Sequence, residues 1–189
     1  MNAKVNFQLP EQLIPFYSAV DLLDAYSLAF ETTTQIQVLI SRISKETIRI
    51  KKLEQKDSAA PHSFTKLESL ISVAEYLADN YSNTFDVERE KYQNALKNSD
   101  VQYNAGDLFD AYSHAHEISS WLSTILYQIK DELFTVKENS TFLCGAIFAS
   151  LERLIYITEY LADNHSNTFD IECEKYEIEW KNMGGDKND

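Results

Sequence analysis

The sequence predicts an all-α protein: a four-helix bundle-like arrangement of two tandem helical hairpins with pseudo-twofold symmetry. Three observations carry this. Glycine and proline are scarce, four and three in 189 residues, and neither occurs between Pro61 and Gly106 or between Gly106 and Gly145. A many-stranded fold would need more tight turns than such runs supply. A long segment recurs within the chain, and both copies carry apolar residues at helical spacing.

The recurrence is ungapped. LESLISVAEYLADNYSNTFDVEREKY, from Leu67 to Tyr92, returns as LERLIYITEYLADNHSNTFDIECEKY, from Leu151 to Tyr176, with 19 of 26 positions identical at an offset of 84. Upstream, DLLDAYSLAFE (Asp21 to Glu31) returns as DLFDAYSHAHE (Asp107 to Glu117), with 8 of 11 identical at an offset of 86. The stretch from Thr47 to Ser63 shows no such likeness to its counterpart. Each copy therefore carries two elements in the same order.

In the first element, Leu22, Ala25, Tyr26, Ala29, Ile36, Leu39, Ile40 and Ile43 form one apolar stripe. Its second-copy equivalent is Leu108, Ala111, Tyr112, Ala115, Leu122, Ile125, Leu126 and Ile129. In the second element, the stripe runs Leu67, Leu70, Ile71, Ala74, Leu77, Ala78, Tyr81, Phe85, Tyr92 and Leu96. Its partner is Leu151, Leu154, Ile155, Thr158, Leu161, Ala162, His165, Phe169 and Tyr176. Val-for-Ile exchange at Val73/Ile157 and Val87/Ile171 reads as the tolerance of core positions.

Ser18 with Asp21, and Thr65 with Glu68, have capping-box spacing. Asp57 to Pro61 and Asn139 to Thr141 break the hairpins, and Asn98 to Gly106 separates the copies. The expected organisation is an N-terminal extension over 1–17, hairpins over 18–98 and 105–182 that form one bundle, and a disordered tail over 183–189. Two hairpins with four apolar faces most simply pack together.

Composition excludes some functions. The net charge of −13 opposes direct binding to a nucleic-acid backbone, which needs a basic surface. It suits a basic protein partner. The basic run from Arg42 to Lys56 reads as the C-terminal end of a long helix, where positive charge complements the dipole. Cys144 and Cys173 are the only cysteines, and nothing in them suggests a disulfide framework. The expectations are no secretory signal, no membrane span and a cytoplasmic location.

The polar residues kept by both copies point to a site. Glu75, Asp79, Ser82, Asn83, Asp86 and Glu90 lie mostly three or four apart, forming one stripe on a helix. Glu159, Asp163, Ser166, Asn167, Asp170 and Glu174 repeat it without a change. A merely solvated face tolerates exchange, since most surface substitutions cost little. Two readings compete. The acids and amides, Glu75, Asp79, Asn83, Asp86 and Glu90 with Glu159, Asp163, Asn167, Asp170 and Glu174, would form duplicated partner-binding surfaces. Alternatively, the Asn-Ser-Asn-Thr type of run, poor in helix formers, would be a bend whose Asp79, Asn80 and Asn83 cap helix ends. Asp24, Ser27 and Glu31 form a shorter stripe, kept as Asp110, Ser113 and Glu117.

Catalytic chemistry is weakly signalled. Asp24, Glu31, Glu75 and Asp79 are oxygen donors of the kind Mg²⁺ or Mn²⁺ prefers. The all-α nucleotide pyrophosphohydrolases use E-x-x-E followed by E-x-x-D, whereas this chain has D-x-x-D and E-x-x-x-D. The E-x-x-H of di-iron bundles is absent. His114 and His116, two apart, do not share a helix face and read as partly buried or paired with Asp110. No phosphate-binding glycine loop or zinc signature occurs. The expected function is a non-enzymatic protein-binding factor, an adaptor, inhibitor or immunity-type regulator, with no cofactor and with homo-oligomerisation open. The alternatives are an acidic nucleic-acid mimic that blocks a DNA- or RNA-binding protein, and a metal-dependent phosphohydrolase.

Overall fold

The computed structural model describes residues 16–57, 64–97, 101–140 and 145–184. They form four helices: α1 (Ala19–Asp57), α2 (Thr65–Ala95), α3 (Ala105–Asn139) and α4 (Ala149–Asn182), with a 3₁₀ turn (Gly145–Phe148) leading into α4. There is no strand among the described residues, and no helix is long and apolar enough to cross a membrane. The 39 residues of α1 make a rod about 58 Å long. The expected tail beyond Gly184, His62 and Cys144 lie outside the described residues.

Helix starts follow two chemistries. At α1, Ser18 N–H donates to Asp21 Oδ2 (2.7 Å) and Val20 N–H donates to Ser18 Oγ (3.2 Å). At α3, Asn104 N–H donates to Asp107 Oδ2 (2.8 Å), and Gly106 N–H donates to Asn104 Oδ1 (2.7 Å). These caps satisfy amides that have no intrahelical partner. The expected Thr65–Glu68 capping box is not formed. Phe64 holds the N-cap position of α2 with no side-chain cap, as Phe148 does for α4, and both rings are buried. Burial of a ring fixes these two starts, and Glu68 reaches across to Lys51 instead (2.7 Å).

Most contacts lie within the hairpins, α1 on α2 and α3 on α4. Between hairpins, α1 packs on α4 and α2 on α3 to nearly equal extents, α1 also meets α3, and α2 and α4, on the other diagonal, have at most a marginal contact. A twofold exchange of hairpins maps this pattern onto itself. Tyr17 and Tyr103, equivalent positions at the offset of 86, pair antiparallel through Tyr17 N–H to Tyr103 O (2.9 Å) and Tyr103 N–H to Tyr17 O (3.0 Å). Ser140 Oγ donates to Glu54 Oε1 (3.1 Å), again joining equivalent positions. Residues that meet their own equivalents lie on the pseudo-axis. The internal repeat thus extends upstream to Tyr17 and Tyr103.

Side-chain packing repeats as well. Tyr26 stacks on Tyr92 (5.4 Å) and Tyr112 on Tyr176 (5.6 Å). Tyr103 meets Tyr92 edge-on and Tyr17 meets Tyr176 edge-on (5.6 and 5.5 Å), each reaching the other hairpin. Lys51 pairs with Glu68 and Lys137 with Glu152, equivalent bridges whose lysines come from stretches that otherwise look unrelated. The apolar stripes make the core, with small residues Ala25, Ala29, Ala74, Ala78, Ala111, Ala115 and Ala162 letting the helices approach. Ile50, Phe64, Ile118, Leu133, Val136 and Phe148 join it beyond the expected stripes. Leu96 lies past the end of α2 and is exposed.

The largest departure concerns the Val/Ile pairs. Val73, Val87, Ile157 and Ile171 are not core: they are 49, 65, 51 and 65% exposed. They lie on the side of α2 and α4 turned away from the buried stripe, so their tolerance of exchange does not come from packing inside the bundle.

Candidate functional site

The polar stripe lies in the middle of uninterrupted α2 and α4. No helix end falls there, so Asp79, Asn80 and Asn83 do not cap one. The threonines of the run donate within the helix, Thr84 Oγ1 to Asn80 O (3.0 Å) and Thr168 Oγ1 to Asn164 O (2.9 Å).

The stripe divides into three parts. Ser82 and Ser166 turn inward and are buried. Ser82 Oγ meets Thr34 Oγ1 (2.9 Å), and Ser166 O lies 3.0 Å from His116 Nδ1. Asp86 and Asp170 each lie beside a basic side chain, supplied from different places. Asp86 pairs with Arg89, whose guanidinium lies 4.5 Å from the Phe30 ring centroid. Asp170 lies 3.8 Å from His116 Nε2. Phe30 and His116 are equivalent positions, as are Arg89 and Cys173, so the basic side chain comes from the same helix in one hairpin and from the neighbouring helix in the other, while the aspartate is the same. That is a structural reason for keeping this acid. It also makes Asp170, rather than Asp110, the partner of His116.

Asp79, Asn83 and Glu90, with Asp163, Asn167 and Glu174, are exposed. They flank a ridge that sequence periodicity alone did not reveal: Val73, Tyr76 and Val87 on α2, and Ile157, Tyr160 and Ile171 on α4. Tyr76 and Tyr160 are 67 and 69% exposed. Each ridge position is identical or a Val/Ile exchange between copies.

Beside each ridge a groove opens toward the partner helix of its hairpin. In the first hairpin it has a volume of about 340 Å³ and runs between Gln37 and Ser41 of α1 and Glu75, Tyr76 and Asp79 of α2. In the second it has a volume of about 710 Å³. There Ser123, Thr124, Tyr127 and Gln128 of α3 face Tyr156, Glu159, Tyr160 and Asp163 of α4. All five residues of the first groove have their equivalents in the second, and the trio Glu-Tyr-Asp from the later helix is identical. The two grooves are thus one site in two copies, on opposite corners of the bundle because α2 and α4 are.

Their electrostatics differ. Gln37 Nε2 donates to Asp79 Oδ1 (2.8 Å), closing the first groove across its width. In the second, Ser123 replaces Gln37, and Lys130 grips both oxygens of Glu159. The Lys130 ammonium also lies 4.9 Å from the Tyr127 ring centroid and 5.4 Å from that of Tyr156.

Other candidates do not assemble. Among the described residues, no three Asp, Glu, His or Cys side chains converge to hold a metal ion, so Asp24, Glu31, Glu75 and Asp79 make no such quartet. His114 packs its ring against Tyr81 and Phe85 (5.9 and 5.3 Å). His165 stands against Phe169 (6.5 Å), and burial lowers its pKa. Burial likewise pushes the Cys173 thiol up, which disfavours the reactive thiolate. No protein-family model, curated protein or solved structure matches this chain.

Proposed function

We propose that the chain is a non-enzymatic protein-binding factor, an adaptor, inhibitor or immunity-type regulator acting in the cytoplasm. It would capture a basic partner on the outward faces of α2 and α4. One observation carries the reading: Tyr76 and Tyr160, more than two-thirds exposed, are kept in both copies beside exposed Asp79 and Asp163. Packing inside the bundle does not require these identities, and surface positions otherwise drift freely. A tyrosine and β-branched apolar residues rimmed by acids have the composition of an interface centre and its polar edge. Two such faces on opposite corners suit two copies of a target or a symmetric one.

The test is a pull-down from cells of the source organism with wild-type bait and a bait carrying Tyr76→Ala, Asp79→Asn, Tyr160→Ala and Asp163→Asn. All four positions are exposed, so the variant should melt as the wild type does. A protein held by the first bait and lost by the second supports the reading. Identical captures by two equally folded baits would sink it. A captured protein that gives up DNA or RNA on binding would make the interaction mimicry of a nucleic acid.

A further inference from the structure

The grooves differ in residues they do not share, and the change has one chemical direction. Tyr127, Lys130 and Tyr156 stand where the first hairpin has Ser41, Ser44 and Ser72. Two rings have thus been placed on facing helices at one spot, next to Tyr160. The face of an aromatic ring is negative and attracts cations. The chain's own Lys130 ammonium, 4.9 Å from the Tyr127 centroid and 5.4 Å from that of Tyr156, shows that these rings accept one. Lys130 is matched by Glu159. No cation among the described residues pairs with Asp163, and no glutamine spans to it as Gln37 spans to Asp79. Tyr127, Tyr156 and Tyr160 remain 60, 49 and 69% exposed, so ring surface is left over beyond what Lys130 covers.

We propose that the groove between α3 and α4 recognises an arginine side chain on a basic segment of the partner. The guanidinium would lie against the exposed Tyr127 and Tyr160 rings and pair with Asp163. This rests on the protein-binding reading above and narrows it to one groove and one residue type. Charge complementarity supports the occupant: a chain of net charge −13 presents one uncompensated carboxylate in a tyrosine-lined groove. Arginine fits better than lysine because a planar guanidinium stacks on a ring while donating in its own plane to a carboxylate. The first groove has the acid and one tyrosine but is smaller, lacks the second groove's other rings and engages its aspartate internally.

The test titrates an end-capped hexa-arginine peptide into the full chain by calorimetry, at about 0.15 M salt, where the screening length of ~8 Å suppresses long-range attraction. Tyr127→Ser with Tyr156→Ser installs the first hairpin's own residues at exposed positions and leaves the charge unchanged. The double variant is expected to keep its melting temperature and bind about threefold more weakly, the loss of the Tyr127 ring–cation contact with Tyr160 still in place. Asp163→Asn is expected to weaken binding more than Asp79→Asn, and hexa-lysine to bind more weakly than hexa-arginine. The proposal is overturned by no binding of hexa-arginine to the wild type, by unchanged affinity of the serine variant, by a larger loss at Asp79, or by equal affinity for hexa-lysine. A lysate partner whose capture survives both serine substitutions would remove the arginine site and leave the protein-binding reading standing.

Discussion

At and beside its outer groove the second hairpin carries Tyr127, Lys130 and Tyr156, where the first carries Ser41, Ser44 and Ser72. On the same helices the Glu-Tyr-Asp trio is identical, and the tyrosine stacks beneath have the same geometry in both. The difference separates two kinds of constraint. Several positions that close the pseudo-twofold core keep their residue, as Leu22/Leu108, Ala78/Ala162 and Phe85/Phe169 do, because a packed interior registers the loss of a single methylene. Asp86 and Asp170 illustrate compensation: the neighbouring basic side chain is Arg89 in one hairpin and His116 in the other, and the acid is the same. Groove positions are serine in one hairpin and tyrosine or lysine in the other with nothing in the core to compel either, so divergence there is free of the fold and open to a ligand.

The largest expected effect tests the symmetric half of this comparison. Phe85 and Phe169 are equivalent rings, each 1% exposed, so Phe85→Ala and Phe169→Ala should each cost about 3–5 kcal/mol. Urea unfolding should give two midpoints close to one another. Widely unequal losses would show that the hairpins carry the core unequally.

A smaller effect tests the asymmetry at the pseudo-axis. Tyr17 Oη donates to both Glu179 oxygens (2.8 and 2.7 Å), whereas position 95, the equivalent of Glu179, is alanine. Tyr17→Phe should therefore cost about 1–2 kcal/mol, as expected for a hydrogen bond to a charged group. Tyr103→Phe should cost a few tenths at most, being an exchange with no such partner to lose. Equal costs would mean that the Glu179 contact adds nothing.

A further effect is common to both hairpins. Burial first, then the neighbouring tyrosine, pushes Tyr26 and Tyr112 up to about 12, and burial with Glu179 raises Tyr17. An unfolded tyrosine titrates near 10, so between that value and the folded one the native state holds protons that the unfolded state has released. Stability is then complete below pH 10 and falls as pH rises through the folded values. Denaturation midpoints at pH 9 and 11 should show the drop, reduced in Tyr26→Phe with Tyr112→Phe. A flat profile would contradict the burial of these hydroxyls.

Much of this architecture was legible in sequence because the repeat reports it twice. Helical spacing identified the stripes through Leu22 to Ile43 and Leu67 to Tyr92, where a long amphipathic period leaves little choice. Conservative exchange misassigned Val73, Val87, Ile157 and Ile171 to the core, although the periodic stripes leave them out, since a β-branched residue on an outer face exchanges Val for Ile as one inside a core does. Thr65 and Glu68 have the spacing of a capping box, yet burial of Phe64 decides where that helix begins. Tyr17 and Tyr103 were within reach: the Tyr-x-Ala pattern, four residues upstream of the aligned segment, is shared by both copies. The groove was out of reach, because Lys130 meeting Glu159, or Gln37 meeting Asp79, depends on the register between helices, and no spacing within one helix contains it.

The account rests most on the non-equivalence of the two grooves, and amide chemical-shift mapping of the uniformly ¹⁵N-labelled chain under hexa-arginine titration tests it most directly. Shifts concentrated at Ser123 to Lys130 and Tyr156 to Asp163, with little change at Gln37, Ser41 and Glu75 to Asp79, are the predicted result. Equal shifts in both grooves, or shifts spread over the acidic surface at large, would contradict it.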